Sequence, residues 1–130
     1  MAIQFLTDEW ADAVTAAANS DEKFRTAAKG HDVVLRVSVS GSPSSESYYM
    51  HFDDGSLTVG IGAPPRTPDV EAELTYETNI ELSRGALNGQ TAAMTGQMKA
   101  TGNMMKMMSI GKAQDRLSEL ESSLDIEYGS

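Results

Sequence analysis

Residues 8–18 carry apolar side chains at every third or fourth position, which is the spacing of an amphipathic helix. Thr7 precedes this run as a suitable N-cap, and the two acidic residues that follow it suit the positive end of a helix dipole. A second, shorter helix is predicted around Phe24, with Ser20 as its cap and Gly30 as its end. The chain is therefore expected to begin with two helices.

Apolar and polar residues then alternate, which is the period of a half-buried strand. Three such runs lie within residues 32–62, and Asp54-Gly55 supplies the turn of a tight hairpin between the second and the third. This stretch predicts an antiparallel meander. Residues 62–68 hold three of the four prolines, cannot pair within a sheet and are predicted to form a loop. A fourth alternating strand follows at residues 70–75.

Three further helices and one strand are predicted in the second half of the chain. The first is a helix that is capped by Thr75 and carries Ile80 and Leu82, and the second is a short helix that is capped by Asn88 and ends at Met94. A fifth strand follows over residues 97–101. The last helical stretch runs from about Asn103 to about Ser123. The initial antiparallel run and the segregated helices indicate the α+β class, with helices on one face of the sheet. We expect one domain, residues 1–130, with a single core.

Methionine is concentrated near the start of the last predicted helix. The methionine side chain has three rotatable bonds and a polarizable sulfur, so it adapts to apolar partners of variable shape. A methionine stripe on a helix also serves as ordinary core filling, so its helical phase has to be considered. Six of the eight methionines fall between residues 94 and 108: Met94, Met98, Met104, Met105, Met107 and Met108.

These methionines lie out of phase with the core stripe of the last helix. Measured from Met107 at about 100° per residue, that stripe lies between about 220° and 300° and consists of Ile110, Ala113, Leu117, Leu120 and Leu124. Met104, Met105 and Met108 fall between about 60° and 160°, nearly the opposite side. The helix therefore has two apolar surroundings or breaks near Gly111, which is costly inside a helix. A ligand cavity, a partner subunit and a local repacking of the core all remain open as explanations.

The charge and composition disfavour several classes of partner. The net charge is −9, from 19 acidic and 10 basic residues, so the surface repels nucleic acid and anionic membranes. There is no apolar run of about 18 residues, and we expect no stable membrane insertion. The start of the chain lacks the features of a secretory signal, and cysteine is absent, which together favour the cytoplasm.

No constellation of residues points to catalysis. The two histidines, His31 and His51, lack the local spacing that is typical of metal ligands. The chain has no nucleophile elbow and no phosphate-binding loop. Turn formation explains the adjacent carboxylates of Asp53 and Asp54. We therefore expect no enzymatic activity, no metal and no cofactor.

Two segments in the second half of the chain match a family pattern. Gly85-Ala86-Leu87-Asn88 precedes the short helix, and Gly96-Gln97-Met98-Lys99-Ala100-Thr101-Gly102-Asn103-Met104 contains the fifth strand and the start of the last helix. With the order of the upstream strands, they resemble the sterol carrier protein type 2 family, whose members read G-x-L-N-P and G-K-L-K-[IV]-x-G-[ND]-M at these places. Gly89 stands where the family often has proline. The resemblance extends over essentially the whole chain.

The resemblance implies a five-stranded, mainly antiparallel sheet covered by helices, with an apolar tunnel between the two layers. It also implies non-enzymatic binding, and in some members transfer, of fatty acids, acyl-CoA, sterols or phospholipids without a prosthetic group. A polar headgroup is expected at the mouth, near Lys99 or Lys106. The alternative is a protein-interaction or homodimerisation module that uses the methionine-rich surface. The residues expected to line the lipid site are Ile80, Leu82, Leu87, Met94, Met98, Met104, Met105 and Met108.

Overall fold

The computed structural model describes residues 2–128. Met1, Gly129 and Ser130 lie outside the described residues. The helices are α1 (Asp8–Asn19), α2 (Glu22–Ala28), α3 (Tyr76–Ser83), α4 (Gly89–Met94), α5 (Met104–Ser109) and α6 (Gly111–Ser122). The strands are β1 (Ile3–Gln4), β2 (Asp32–Ser40), β3 (Ser47–Asp53), β4 (Ser56–Ile61), β5 (Val70–Thr75), β6 (Met98–Gly102) and β7 (Ile126–Glu127). Within residues 2–128, no helix is long and apolar enough to cross a membrane.

Five strands form one sheet in the order β4-β3-β2-β5-β6. β2, β3 and β4 pair antiparallel as the predicted meander, and β5 and β6 are also antiparallel. β2 and β5 pair in parallel, with Val37 opposite Ala72. The sheet is therefore mixed but mostly antiparallel, which confirms the predicted α+β class and the five-stranded sheet.

The segment between β4 and β5, residues 62–69, carries the chain from one edge of the sheet past β3 and β2. Asp69 fixes its end to β2 in two ways. The Asp69 backbone N–H donates to the carbonyl of Val34 at 2.9 Å, and the Asp69 carboxylate accepts from the Val34 N–H at 2.9 Å. This crossing places β5 beside β2 and β6 at the far edge of the sheet.

Alternate residues of each strand point to opposite faces of the sheet. On β5 the inward residues Val70, Ala72 and Leu74 are buried, whereas Glu71 and Glu73 are exposed on the other face. An antiparallel sheet can leave one face in water, because its core needs helices on one side only. The helices accordingly cover one face, as the alternation predicted.

Side-chain caps start most of the helices where the sequence places them. The N-caps expected at Thr7, Thr75 and Asn88 each accept a hydrogen bond from the backbone N–H three residues on, and Asn103 does the same for α5. The cap predicted for α2 is wrong: it is Asp21, whose carboxylate accepts from the Phe24 N–H at 2.8 Å, and not Ser20. A carboxylate suits the positive end of the helix, and Asp21 also pairs with Arg116 at 2.8 Å.

The last helical stretch breaks, which is one of the alternatives that its helical phase left open. α5 ends at Ser109 and α6 begins at Gly111, with the buried Ile110 between them. A Cβ atom at position 111 would lie 3.1 Å from Nε2 of Gln90, so the side chain of Gln90 on α4 reaches this junction. The two helices therefore present their apolar residues to different surroundings.

Two short strands near the ends of the described chain form a separate parallel pair that the sequence did not predict. Ile3 pairs with Ile126, and Gln4 pairs with Glu127. A strand of two residues is too short to show a hydrophobic period. The pair brings the N-terminal segment beside the end of α6, where the ring centroids of Phe5 and Tyr128 lie 4.9 Å apart.

Candidate functional site

A cavity of about 90 Å³ lies between the inner face of the sheet and the helices α3 to α6. The strands supply Leu35, Val37, Tyr48, Met50, Ala72, Leu74 and Met98 to its wall. The helices supply Asn79, Leu82, Ser83, Gly89, Met107, Gln114, Asp115, Leu117, Ser118 and Glu121. The strands thus provide a mainly apolar floor, and the polar groups come chiefly from the helices. An apolar wall with a few polar groups is typical of a small-molecule site.

The floor of the cavity is apolar because the inward positions of neighbouring strands coincide. The sheet register places Val37 of β2 opposite Ala72 of β5, and Leu74 of β5 opposite Met98 of β6. Ala72 is the smallest of these side chains and leaves space above the centre of the sheet. Met98 and, from the helical side, Met107 add flexible thioether side chains to the wall.

One buried part of the cavity wall is polar and is centred on Glu121 of α6. Glu121 is 6% exposed, and its Oε2 accepts hydrogen bonds from the indole N–H of Trp10 at 3.0 Å and from the hydroxyl of Ser83 at 2.5 Å. Oγ of Ser83 also lies 2.8 Å from the hydroxyl oxygen of Tyr128. Glu121 therefore connects α1, α3, α6 and the segment that follows β7.

Tyr48 and Asn79 make a second polar contact in this region. The hydroxyl of Tyr48 donates to Oδ1 of Asn79 at 3.3 Å. Asn79 is 3% exposed, and its amide nitrogen Nδ2 has no hydrogen-bond partner among the described residues. A buried donor without an acceptor costs about 1–3 kcal/mol. This amide is consequently able to donate to a group placed in the cavity.

Burial controls the ionisation of this polar region. It raises the pKa of Glu121 to about 7, although the hydrogen bonds from Ser83 and Trp10 oppose the shift. Burial also raises the pKa of Tyr48 far above its usual value, and the nearby charge of Glu121 adds to the effect. Tyr48 is therefore neutral near pH 7, where Glu121 is divided between its acid and carboxylate forms.

The cavity wall reaches partly exposed residues where the start of α4 meets α6. Gly89, Gln114 and Ser118 are half-buried there, and Asp115 is exposed. A Cβ atom at position 89 would lie 3.3 Å from Oε1 of Gln114, so glycine permits a close approach of the two helices. This junction is the side of the cavity nearest to solvent.

The eight residues predicted to line a ligand site fall into three groups. Leu82 and Met98 line the cavity. Ile80 and Leu87 are partly buried and pack against the core, but they do not line the cavity. The remaining four, Met94, Met104, Met105 and Met108, are exposed, Met94 by 86% and Met105 by 83%. The structure thus brings two of the eight to the cavity wall, and ligand contact by any of them stays a prediction.

Apolar periodicity did not predict the polar region, because its members are polar residues at buried helical positions. The buried positions of α3 are Tyr76, Asn79 and Ser83, which share one face of the helix. On α6, Glu121 follows the buried Leu117 by four residues and shares its face. A carboxylate in phase with the core stripe is therefore the signal in the sequence that indicates this region.

The two lysines expected near a headgroup do not line the cavity. Lys99 follows the inward Met98 on β6, and strand alternation turns it to the exposed outer face. Lys106 donates from Nζ to Oδ1 of Asp69 at 3.1 Å. The polar groups of the cavity are instead uncharged donors and carboxyl groups.

Asp32, His51 and Asp53 lie together at one end of β2 and β3, although no metal motif links them in the sequence. Their ligand atoms lie within 4.8 Å of one another. Oδ1 of Asp32 accepts from Nη2 of Arg66 at 2.7 Å and lies 3.0 Å from Nε2 of His51. Because Arg66 already balances the charge of Asp32, an exposed ion-pair network accounts for this group.

The fold and the cavity define a class of protein, namely an α+β domain with a mainly apolar cavity between a sheet and one layer of helices. The comparison with family models agrees with this class. The model of the SCP-2 sterol transfer family matches residues 12–115, and the chain belongs to this family. Membership supports the binding or transfer of an apolar lipid.

Individual relatives share the fold at low sequence identity. The chain is 25% identical over 100 residues to a fatty acid-binding protein of Yarrowia lipolytica. The aligned region covers 76% of this chain and 78% of that protein. It is 24% identical over 90 residues to peroxisomal multifunctional enzyme A of Dictyostelium discoideum. The aligned region covers 65% of this chain and 20% of that protein. A crystal structure of sterol carrier protein 2 superposes with a TM-score of 0.76 at 20% identity, covering 92% of this chain and 98% of that one.

Proposed function

We propose that the chain binds the apolar tail of one lipid molecule in the cavity and carries it without chemical change. The observation that supports this most is the apolar wall, which continues from the inner face of the sheet to Leu82, Met107 and Leu117. Each methylene group removed from water contributes about 0.8 kcal/mol. An alkyl chain of several carbons would therefore supply most of the affinity.

The cavity has to widen to accept a whole lipid tail. Its volume is about 90 Å³, whereas ordinary ligand pockets measure about 300–1,000 Å³. We propose that α5 moves outward, because none of its six residues is buried and its displacement disturbs little of the core. The flexible side chains of Met98 and Met107 would then adjust to the tail.

The exposed methionines fit the same proposal. Met104, Met105 and Met108 lie on α5, and Met94 is the last residue of α4. We propose that these side chains, with Ile80 and Leu87, cover the part of the lipid that extends beyond the cavity. Methionine suits this task because its side chain follows ligands of different shape.

The names of the relatives support two kinds of ligand. One relative is called a fatty acid-binding protein, and the family is described by sterol transfer. Fatty acids, fatty acyl-CoA, sterols and phospholipids are all lipids with a large apolar part. A narrow cavity favours a single flexible chain over a rigid ring system, so we propose a fatty acyl or alkyl chain as the group that is bound.

Purified protein is expected to carry lipid and to bind a fluorescent fatty acid at one saturable site. Solvent extraction followed by mass spectrometry identifies the copurified lipid, and titration with the fluorescent fatty acid measures the dissociation constant. An unlabelled fatty acid should displace the probe completely. Absence of copurified lipid together with non-saturable titration would refute the proposed function.

A second candidate function, association through the methionine surface, is favoured by the exposure of Met94, Met104, Met105 and Met108. If these residues join two copies of the chain, Met105→Glu with Met108→Glu should dissociate the assembly. Thr58→Glu on the distant edge strand β4 should leave it intact. Sedimentation velocity measures the mass, and a wild-type monomer at all concentrations would rule this function out.

A further inference from the structure

The polar region of the cavity wall is built from three different elements around one space. Tyr48 comes from β3, Asn79 and Ser83 come from α3, and Glu121 comes from α6. All four residues are at most 6% exposed. The rest of the buried wall is hydrocarbon or thioether, so this region stands out as the place where a ligand's polar atom can be bound away from solvent.

Asn79 offers an unused donor to this space. Its Oδ1 already accepts from the Tyr48 hydroxyl, and its Nδ2 has no partner among residues 2–128. Donors of this kind are nearly always paired in folded proteins. A ligand oxygen that accepts from Nδ2 would complete the pairing.

The Glu121 carboxyl group determines which kind of ligand oxygen can bind beside Asn79. The residues that face it are Trp10 from α1, Ser83 from α3, Tyr48 from β3 and Tyr128 after β7, all of them uncharged, while the guanidinium of Arg84 lies over the ring of Tyr128 at 4.6 Å. No cation is therefore paired with the Glu121 carboxyl among its hydrogen-bond partners. An anionic ligand headgroup would be repelled by the Glu121 carboxylate and would lose its own hydration.

We propose, resting on the proposed lipid-binding function, that this polar region binds the hydroxyl group of an uncharged long-chain alcohol and discriminates against an ionised carboxylate. A hydroxyl group both accepts and donates one hydrogen bond. It accepts from Nδ2 of Asn79 and donates to the carboxyl group of Glu121. The alkyl chain then occupies the apolar part of the cavity, and the hydroxyl group lies at the buried end of the ligand.

Three ligands that each contain a ten-carbon chain test the proposal. 1-Decanol donates and accepts, decyl methyl ether only accepts, and decanoate is charged. Each competes with a fluorescent alkyl probe, below its solubility limit, at pH 6 and pH 8. We expect wild-type protein to bind decanol roughly three- to tenfold more tightly than the ether, which is the effect of one hydrogen bond. Decanoate should bind most weakly, and more weakly at pH 8 than at pH 6.

Two variants separate recognition of the hydroxyl from general preference for an uncharged ligand. Asn79→Leu keeps the approximate shape and removes the donor to the ligand oxygen, so it should weaken decanol and the ether alike, by roughly three- to tenfold. The advantage of decanol over the ether should persist, because it comes from donation to Glu121. Glu121→Gln removes the negative charge, so it should strengthen decanoate binding at pH 8 and remove its pH dependence. Glu81→Gln, an exposed residue of α3, is the matched control and should change none of the three affinities.

The outcomes distinguish this inference from the function on which it rests. If no ligand displaces the probe, the proposed lipid-binding function and this inference both fail. If the alcohol and ether bind equally to wild type, if Asn79→Leu leaves both of their affinities unchanged, or if Glu121→Gln leaves decanoate binding unchanged, lipid binding stands and this inference is overturned. Circular dichroism verifies folding, and should Asn79→Leu not fold, the wild-type ligand order and Glu121→Gln still decide the outcome.

Discussion

Replacing Ala72 by phenylalanine is expected to weaken lipid binding at least about tenfold while the chain still folds. Ala72 is 1% exposed on the central strand β5, and its side chain points into the cavity. A phenyl ring there occupies the space that would hold part of an alkyl chain. Excluding two methylene groups removes about 1.6 kcal/mol of binding free energy, which corresponds to roughly a tenfold rise in the dissociation constant.

The control for this substitution is Glu73→Phe. Glu73 is the next residue of β5 and lies on the exposed outer face. The variant therefore adds the same ring to the same strand, but outside the cavity. Titration with a fluorescent fatty acid should give an unchanged dissociation constant for this variant. Urea denaturation measures the cost of overpacking, which we expect to be about 1–3 kcal/mol for Ala72→Phe. Equal lipid affinity in wild type and Ala72→Phe would place the lipid outside the cavity.

Glu121 is expected to make the protein less stable as the pH rises from about 5 to about 8. Burial raises the pKa of Glu121 to about 7 from its ordinary value of 4.5. Between these values the folded chain keeps a proton that the unfolded chain has lost, so the free energy of unfolding decreases as the pH rises. A shift of this size corresponds to a loss on the order of 3 kcal/mol. The loss is complete above the folded-state pKa.

Glu121→Gln isolates this contribution from the other groups that titrate. The amide oxygen of glutamine can still accept from Trp10 and Ser83, but it does not ionise. The difference in unfolding free energy between the variant and the wild type should therefore shift in favour of the variant by on the order of 3 kcal/mol from pH 5 to pH 8. Urea denaturation at several pH values measures it. Stability profiles of the variant and the wild type that stay parallel would contradict a raised pKa of the Glu121 carboxyl group.

Local patterns in the sequence were sufficient to predict most of the fold. The alternation in β2 to β5, the caps at Thr7, Thr75 and Asn88, and the break beside Gly111 all depend on residues a few positions apart. The parallel pairing of β2 with β5 and the β1–β7 pair join residues far apart in the chain. Their partners are chosen by the packing of the whole chain, which a local period does not contain.

The candidate site was predicted less well, for a physical reason. Hydrophobicity identifies residues that avoid water, and it indicated Leu82 and Met98, which line the cavity. It also indicated Met105 and Met108, which are exposed on a helix that has no buried residue. The helical phase correctly separated these methionines from the core stripe of α6, but it carries no information about what faces them. Glu121 shares the helical phase of the core stripe, but its hydrogen-bond partners Trp10 and Ser83 are distant in the chain, and no spacing in the sequence reveals them.

The methionine methyl groups provide the most direct test of lipid binding inside the cavity. Met50, Met98 and Met107 line the cavity, whereas Met94 and Met105 are strongly exposed. With ¹³C-labelled methionine methyl groups, assigned by single Met→Leu variants, addition of 1-decanol should shift the signals of the three cavity residues. Those methyl groups should also show nuclear Overhauser effects to the methylene protons of the lipid. Bound 1-decanol that contacts only Met94 and Met105, with the signals of Met50, Met98 and Met107 unchanged, would contradict lipid binding in the cavity.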